Sequence, residues 1–303
     1  MSSEKVIIND VSPRDGLQNQ SKILSPHERV QLITALLASG LDHIEVGSFV
    51  SPKAVPAMAG TDEVFSSLDA EQAHLSALIP NQKGYDLAKA SGVKNVAIVM
   101  AASEEMNLKN TRMTTKQSID VCTSLASQAK QDGLFAQIYI GTAWECPFEG
   151  LVDPEVVIDI AAQLAMSKPG EIVLADTIGA ANPSQVSGLL GSLVEAHGAE
   201  LFSCHFHDTQ GFGVANVYAA LVSGIRKFDA SVGGLGGCPF APGASGNVAT
   251  EDVVLMLEKM GYDTGVDLQA LVAAADLAAE LTGETTGGNS SKWLKRQIEK
   301  GTL

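Results

Sequence analysis

Eight short apolar runs, each followed by a longer stretch of helical periodicity, constrain this chain more than any other feature. The runs are KVIINDV (5–11), HIEVGSF (43–49), HLSALIP (74–80), NVAIVMA (95–101), LFAQIYIG (134–141), EIVLADT (171–177), LFSCHFHD (201–208) and KFDASVGG (227–234). Helical patterns fall near 26–39, 52–68, 82–91, 114–132, 153–168, 183–197, 212–225 and 250–260. SPHERVQLITALLASG shows the grammar: Ser25 suits a cap, Pro26 the first turn and Gly40 the stop. Strand–helix alternation of this kind requires a parallel sheet with right-handed crossovers. Eight repeats in 303 residues predict an α/β fold of the closed (β/α)8 TIM-barrel type, forming one catalytic domain over 1–303. Residues 264–303 are expected to add one or two C-terminal helices, outside the barrel or over one end. The competitor is a doubly wound open sheet. It would place G-x-G-x-x-G after the first strand, where this chain has VSPRDGLQNQ.

With 45% apolar and 18% charged residues, the chain can bury a large core. A net charge of -15 argues against nucleic acid and anionic membranes as partners. An anionic ligand would have to be met by local Arg or Lys, backbone N–H groups or a metal. The four cysteines, Cys122, Cys146, Cys204 and Cys238, include no C-x-x-C pair. They read as reduced thiols, and no signal peptide or 18-residue apolar run is evident, so a cytoplasmic setting without membrane contact is expected.

In such a barrel, functional groups gather at the C-terminal ends of the strands. Strand one runs into Arg14 and Asp15, strand two carries Glu45, strand five Tyr139 and strand six Asp176. Strand seven ends in CHFHD. Residues two apart share a face, so His205 and His207 point the same way while Cys204 and Phe206 point the other. That pair is a natural half of a metal site. Asp15 is the natural third ligand, although RDG is also a good turn. Asn247 either supplies a carbonyl oxygen to the same metal or caps the next helix. Arg14 is suited to a carboxylate or enolate oxygen, or to a salt bridge with Glu45 or Asp176. Two His with carboxylate and amide oxygens suit Mg²⁺ or Mn²⁺ better than Ca²⁺ or structural zinc.

VSPRDGLQNQ, IEVGSFVSPK, LADTIG, HFHD and above all GLGGCPFAPGASGNVATEDV together resemble the 3-hydroxy-3-methylglutaryl-CoA lyase family. The resemblance runs from Ser12 to about Gly265. It implies a carbon–carbon lyase that cleaves an acyl-CoA by a retro-Claisen reaction to acetyl-CoA and acetoacetate, as in leucine catabolism. It further implies that Asp15, His205, His207 and Asn247 bind a divalent cation, Mg²⁺ or Mn²⁺. Arg14 would stabilise an enolate and Cys238 act as a catalytic acid/base on a mobile loop. Glu45 and Asp176 would serve orientation and proton transfer, and Gln18 and Tyr139 would line the substrate pocket. R-D and H-x-H are shared with isopropylmalate and citramalate synthases and with related aldolases; the cysteine loop is the lyase-specific element.

That loop, Gly233 to Asn247, holds six glycines and two prolines around Cys238. It reads as a lid, hinged by glycine, that closes over the barrel mouth. Lys22, Lys53 and Lys83 are candidates for CoA phosphates. Outer helices rich in Ala and Leu suggest a homo-oligomer, a dimer or larger. The chain departs from the family pattern at Met100, Trp144, Glu145, Val173, Ala175 and Gln210, which raises the question of which acyl group it accepts.

Overall fold

The computed structural model describes residues 3–69, 73–237, 246–284 and 287–303. The apolar runs form parallel strands β1 (Ile7–Asp10), β2 (His43–Ser48), β3 (His74–Ile79), β4 (Asn95–Ala101), β5 (Phe135–Gly141), β6 (Glu171–Asp176), β7 (Phe202–Phe206) and β8 (Lys227–Ala230). They follow one another in chain order around a closed barrel, with β8 paired to β1 from Ile7↔Lys227 to Asp10↔Ala230.

Around it lie α1 (Pro26–Ala38), α2 (Thr61–Ser66), α3 (Gln82–Ala90), α4 (Glu104–Asn110), α5 (Thr115–Gln131), α6 (Pro154–Ala165), α7 (Pro183–His197), α8 (Gly213–Val222) and α9 (Thr250–Lys259). α1 begins as its sequence predicts, with Ser25 and Glu28 forming a reciprocal cap and Pro26 in the first turn. The extension forms α10 (Leu268–Thr282), packed on α1, and α11 (Ser291–Lys300), which buries Leu294. No helix among the described residues is long and apolar enough to cross a membrane.

Strand residues alternate between two environments. Ile138, Ile140, Ile172, Leu174, Cys204, Phe206 and Phe228 join the core between strands and helices. Ala97, Tyr139 and Val173 form a separate cluster inside the barrel. Each strand therefore has an inward and an outward parity, and these decide which polar residues meet.

Two expected elements differ. The stretch 52–68 is helical only at Pro56–Met58 and in α2. Pro52 and Pro56 lack the N–H a continuous helix needs, and they disfavour helical backbone at the residue before them. The single helix expected over 114–132 is preceded by α4, and its own start is fixed by a Thr114–Gln117 capping box.

β2 slips register against β3 between Glu45 and Gly47. Arg29 of α1 is fully buried there. It donates from Nη2 to the Val46 carbonyl (3.0 Å) and Thr61 Oγ1 (3.1 Å), and from Nη1 to the Ala59 carbonyl (3.1 Å). A Cβ on Gly47 would lie 2.3 Å from Arg29 Nη2 and 2.6 Å from Thr61 Oγ1. Gly47→Ala is therefore expected to destabilise the protein by about 1–3 kcal/mol in urea denaturation. A change below about 0.5 kcal/mol, the size of an ordinary surface substitution, would show that the bulge tolerates a side chain.

Candidate active site

The chain leaves β1 through a wide turn at Ser12–Gly16, where the Val11 carbonyl accepts the N–H groups of Arg14 (3.2 Å), Asp15 (2.8 Å) and Gly16 (3.2 Å). Widened turns of this type recur at functional sites. Asp10 anchors it from below. Its carboxylate accepts from Ser12 N (2.9 Å), Ser12 Oγ, Val232 N (3.0 Å) and Thr250 Oγ1 (2.7 Å). One buried side chain thus ties the start of the site to β8 and α9. The turn carries Arg14 and Asp15 to the barrel mouth.

His205 and His207 lie on the inward face at the end of β7, each 5% exposed, with ring centroids 5.2 Å apart. Residues 246–249 return between the ends of β7 and β8: Val248 N donates to the Phe206 carbonyl and Ser231 N to the Val248 carbonyl, both at 3.0 Å. This places Asn247 beside His207. Asn247 does not cap α9, whose cap position is Ala249. Its Nδ2 donates to Asp15 Oδ2 (2.8 Å) and the Leu235 carbonyl (3.0 Å).

Ligand atoms of Asp15, His205 and His207 all lie within 4.8 Å of one another. Asn247 Oδ1 is buried and accepts no hydrogen bond among the described residues. A buried acceptor without a donor is costly unless a cation faces it. The donor set, two imidazoles with carboxylate and amide oxygens, fits a divalent cation.

Arg14 donates from Nε to Glu45 Oε2 and from Nη1 to Asp15 Oδ1, both at 2.6 Å. Its partners are thus Glu45 and Asp15, while Asp176 lies elsewhere. Burial alone would raise the Asp15 carboxyl, but the Arg14 guanidinium and both imidazoles hold it well below the usual range. Burial pushes Glu45 up to about 7 against the pull of Arg14. Asp176 has outward parity and accepts from Ala180 N (3.0 Å) and Ala181 N (3.1 Å). Burial raises it to about 6 despite those two bonds.

A cavity of about 430 Å³ opens over these groups. Arg14, Asp15, Tyr139, His205 and His207 form its polar floor, and Val50, Ala54, Leu78, Val99 and Met106 an apolar wall. Gln18, Asn19, Asn81, Asn110 and Thr111 supply a polar rim. Glu45 and Asp176 do not line it; Thr177, next to Asp176, does.

Cys238 lies outside the described residues. Its neighbour Gly237 lines the cavity and accepts from Asn19 Nδ2 at 3.0 Å. The loop leaves β8 through Gly233 and Gly234, whose φ values of 67° and 66° suit glycine. Lys22 is engaged away from the mouth, with the Leu281 carbonyl (2.5 Å) and Glu28 (3.4 Å). Lys53 and Lys83 are exposed and do not line the cavity. Of the positions that depart from the family pattern, Ala175 alone reaches the cavity. Trp144 packs on Phe206 with ring centroids 5.5 Å apart and planes tilted by 35°, in the outer core that also holds Met100.

Sequence reasoning missed Asp10, Asn19 and, most of all, Asp229. Asp229 is 3% exposed and accepts from Tyr139 Oη at 2.8 Å. Its signal was a carboxylate of inward parity in KFDAS.

Glu45 and Asp176 hold protons more tightly folded than unfolded. Their contribution to stability is therefore complete below about pH 4 and is lost as pH rises through about 6 and 7. His205 shifts the same way: burial pulls it down, but Asp229 and Asp15 more than offset that. Metal-free protein is thus expected to lose stability between about pH 5 and pH 8, and Glu45→Gln to reduce that loss by on the order of 2 kcal/mol. Equal slopes for both proteins in urea titrations would show that Glu45 does not titrate in this window.

Comparison with known proteins agrees with this geometry. The HMGL-like family pattern matches residues 5–278. The chain is 44% identical over 292 residues to (R)-citramalyl-CoA lyase of Chloroflexus aurantiacus, covering 92% of each. It is 41% identical over 292 residues to the 3-hydroxy-3-isohexenylglutaryl-CoA/hydroxy-methylglutaryl-CoA lyase of Pseudomonas aeruginosa, covering 96% of this chain and 97% of that one. The crystal structure of hydroxymethylglutaryl-CoA lyase from Pseudomonas aeruginosa superposes with a TM-score of 0.93 at 41% identity, covering 98% of this chain and 99% of that one. A closed parallel barrel, a mouth that gathers Arg14, Asp15 and two histidines, and likeness over nearly the full length lead to one assignment: the chain belongs to the HMGL-like family and is a carbon–carbon lyase acting on a CoA thioester.

Proposed function

We propose that this enzyme cleaves 3-hydroxy-3-methylglutaryl-CoA to acetyl-CoA and acetoacetate, the reaction used in leucine catabolism, with Mg²⁺ or Mn²⁺ as its cation. The observation that carries the reading is the convergence of Arg14, Asp15, His205 and His207 on one cavity, with Asn247 hydrogen-bonded to Asp15 behind it. Asp15, His205, His207 and Asn247 Oδ1 would hold the cation. When bound, it would act as a Lewis acid on the substrate's tertiary hydroxyl and carboxylate.

The chain's own groups supply the rest. In the net reaction the C2–C3 bond breaks, the C3 hydroxyl oxygen becomes the ketone and releases its proton to solvent, and C2 takes up one proton, so no proton is gained or lost overall. Arg14 has given Nε to Glu45 and Nη1 to Asp15, which sets the plane of its guanidinium. Its remaining amino group is a donor for the enolate oxygen of the departing acetyl-CoA. Glu45 acts through Arg14 rather than on substrate. Cys238, next to a cavity-lining glycine, is the proton donor to C2. Asp176, with both oxygens on loop N–H groups, positions Thr177 rather than taking the hydroxyl proton. The apolar wall receives the substituent at C3, and the polar rim suits the pantetheine arm. Buried free thiols at Cys122, Cys146 and Cys204 support a reducing, cytoplasmic setting.

The 44% identity with a citramalyl-CoA lyase favours a second reading in which citramalyl-CoA is the substrate. That thioester has its carboxylate directly on the hydroxyl-bearing carbon, one methylene closer, and yields pyruvate.

Purified enzyme with Mg²⁺ should be offered both thioesters and a longer-chain 3-substituted glutaryl-CoA, with products followed by mass spectrometry. Acetoacetate is the expected ketone. Pyruvate as the faster product would move the assignment to citramalyl-CoA, and condensation of acetyl-CoA with a 2-oxo acid as the main activity would replace lyase by synthase. Arg14→Gln is expected to lower kcat by about 10²–10³-fold, as loss of an oxyanion donor does. Cys238→Ser with undiminished turnover would remove Cys238 from the mechanism.

A further inference from the structure

We propose that Asp229 is the positioning residue of the metal centre: its carboxylate fixes which nitrogen of His205 faces the cation and which way the Tyr139 hydroxyl points. The assignment rests on the metal-site reading above and concerns a residue below the ligands.

Asn9 on β1, Asp229 on β8 and His205 on β7 are register neighbours of inward parity, so they form one layer across three adjacent strands. Asn9 and Asp229 are 8% and 3% exposed. Asn9 Nδ2 donates to Asp229 Oδ1 at 2.8 Å. Asp229 Oδ2 accepts from Tyr139 Oη at 2.8 Å and lies 3.0 Å from His205 Nδ1. Tyr139 also meets the His205 ring edge-on, with centroids 6.2 Å apart.

The chemistry of these atoms leaves one proton arrangement. A carboxylate only accepts, so a 3.0 Å contact requires a proton on His205 Nδ1. The neutral imidazole then has its single lone pair on Nε2, the atom left for a cation held with Asp15 and His207. A carboxylate behind a ligating imidazole fixes the ring's tautomer and raises its basicity. The same oxygen consumes the Tyr139 proton, so the phenol offers only lone pairs to the cavity. Tyr139 therefore accepts a hydrogen bond from substrate. Asn9 takes up the far oxygen and keeps the carboxylate from rotating out of this arrangement.

Asp229→Asn preserves shape but opposes an amide N–H to the donors, or leaves only one acceptor for them. Mn²⁺ titration by calorimetry, with circular dichroism as the folding control, is expected to show about 10–100-fold weaker binding in the variant. A second measurement reads the tautomer directly: ¹⁵N-histidine NMR of metal-free wild-type protein at alkaline pH should show the His205 proton on Nδ1. In Asp229→Asn the Nε2–H form should gain population, a change that loss of packing alone would not produce. Equal Mn²⁺ affinity in both proteins, or a wild-type His205 protonated on Nε2, would overturn the role of Asp229. Wild-type protein that binds no Mn²⁺ would instead overturn the metal reading itself.

Discussion

In a closed parallel barrel every strand residue faces either the interior or the helices, and the choice alternates along the strand. This constraint sorts the polar residues of the chain. It sends Asn9, Glu45, Tyr139, His205, His207 and Asp229 inward, while Asp10 and Asp176 face the loops behind the strands. Of the inward set, Tyr139, His205 and His207 line the floor of the cavity, and Asn9, Glu45 and Asp229 hold the groups that do. The outward pair holds the turns that overhang it, Asp10 through Ser12, Val232 and Thr250, and Asp176 through Ala180 and Ala181. A one-residue slip in any strand would exchange the two roles.

Charge explains why such a site invites a cation. The inward groups near Arg14 include three carboxylates, Asp15, Glu45 and Asp229, against one guanidinium and two imidazoles that are neutral when they ligate. Burying unbalanced anions is expensive, and part of that expense appears as the raised Glu45 carboxyl. A divalent cation between Asp15 and the histidines would balance the cluster and supply a partner for Asn247 Oδ1. The overall charge of -15 is a separate matter of surface and solubility.

Much of this was legible in the sequence. The eight strands follow from short apolar runs, and the H-x-H spacing alone places two imidazoles together. The strand-end rule located Arg14, Asp15 and Tyr139. It also selects Asp176, whose carboxylate meets Ala180 and Ala181 N–H groups while Ala175 and Thr177 line the cavity, because a strand's last residue can face either way. Helicity over 52–68 was over-read because proline outweighs apolar spacing. Asp229 escaped because a single mid-strand carboxylate looks like ordinary alternation. Its meaning depends on register with β1 and β7, and no local pattern encodes register between strands. The proline-rich cysteine loop was conspicuous by composition, and Gly237 places one end of it at the cavity.

Everything at the barrel mouth depends on Asp15, His205, His207 and Asn247 forming one cation site. An anomalous difference map from crystals grown with Mn²⁺ tests it most directly. One strong peak is expected, bounded by the Asp15 carboxylate, His205 Nε2, an imidazole nitrogen of His207 and Asn247 Oδ1. A map without that peak, or with the Mn²⁺ held elsewhere and the Asn247 oxygen turned away, would contradict it.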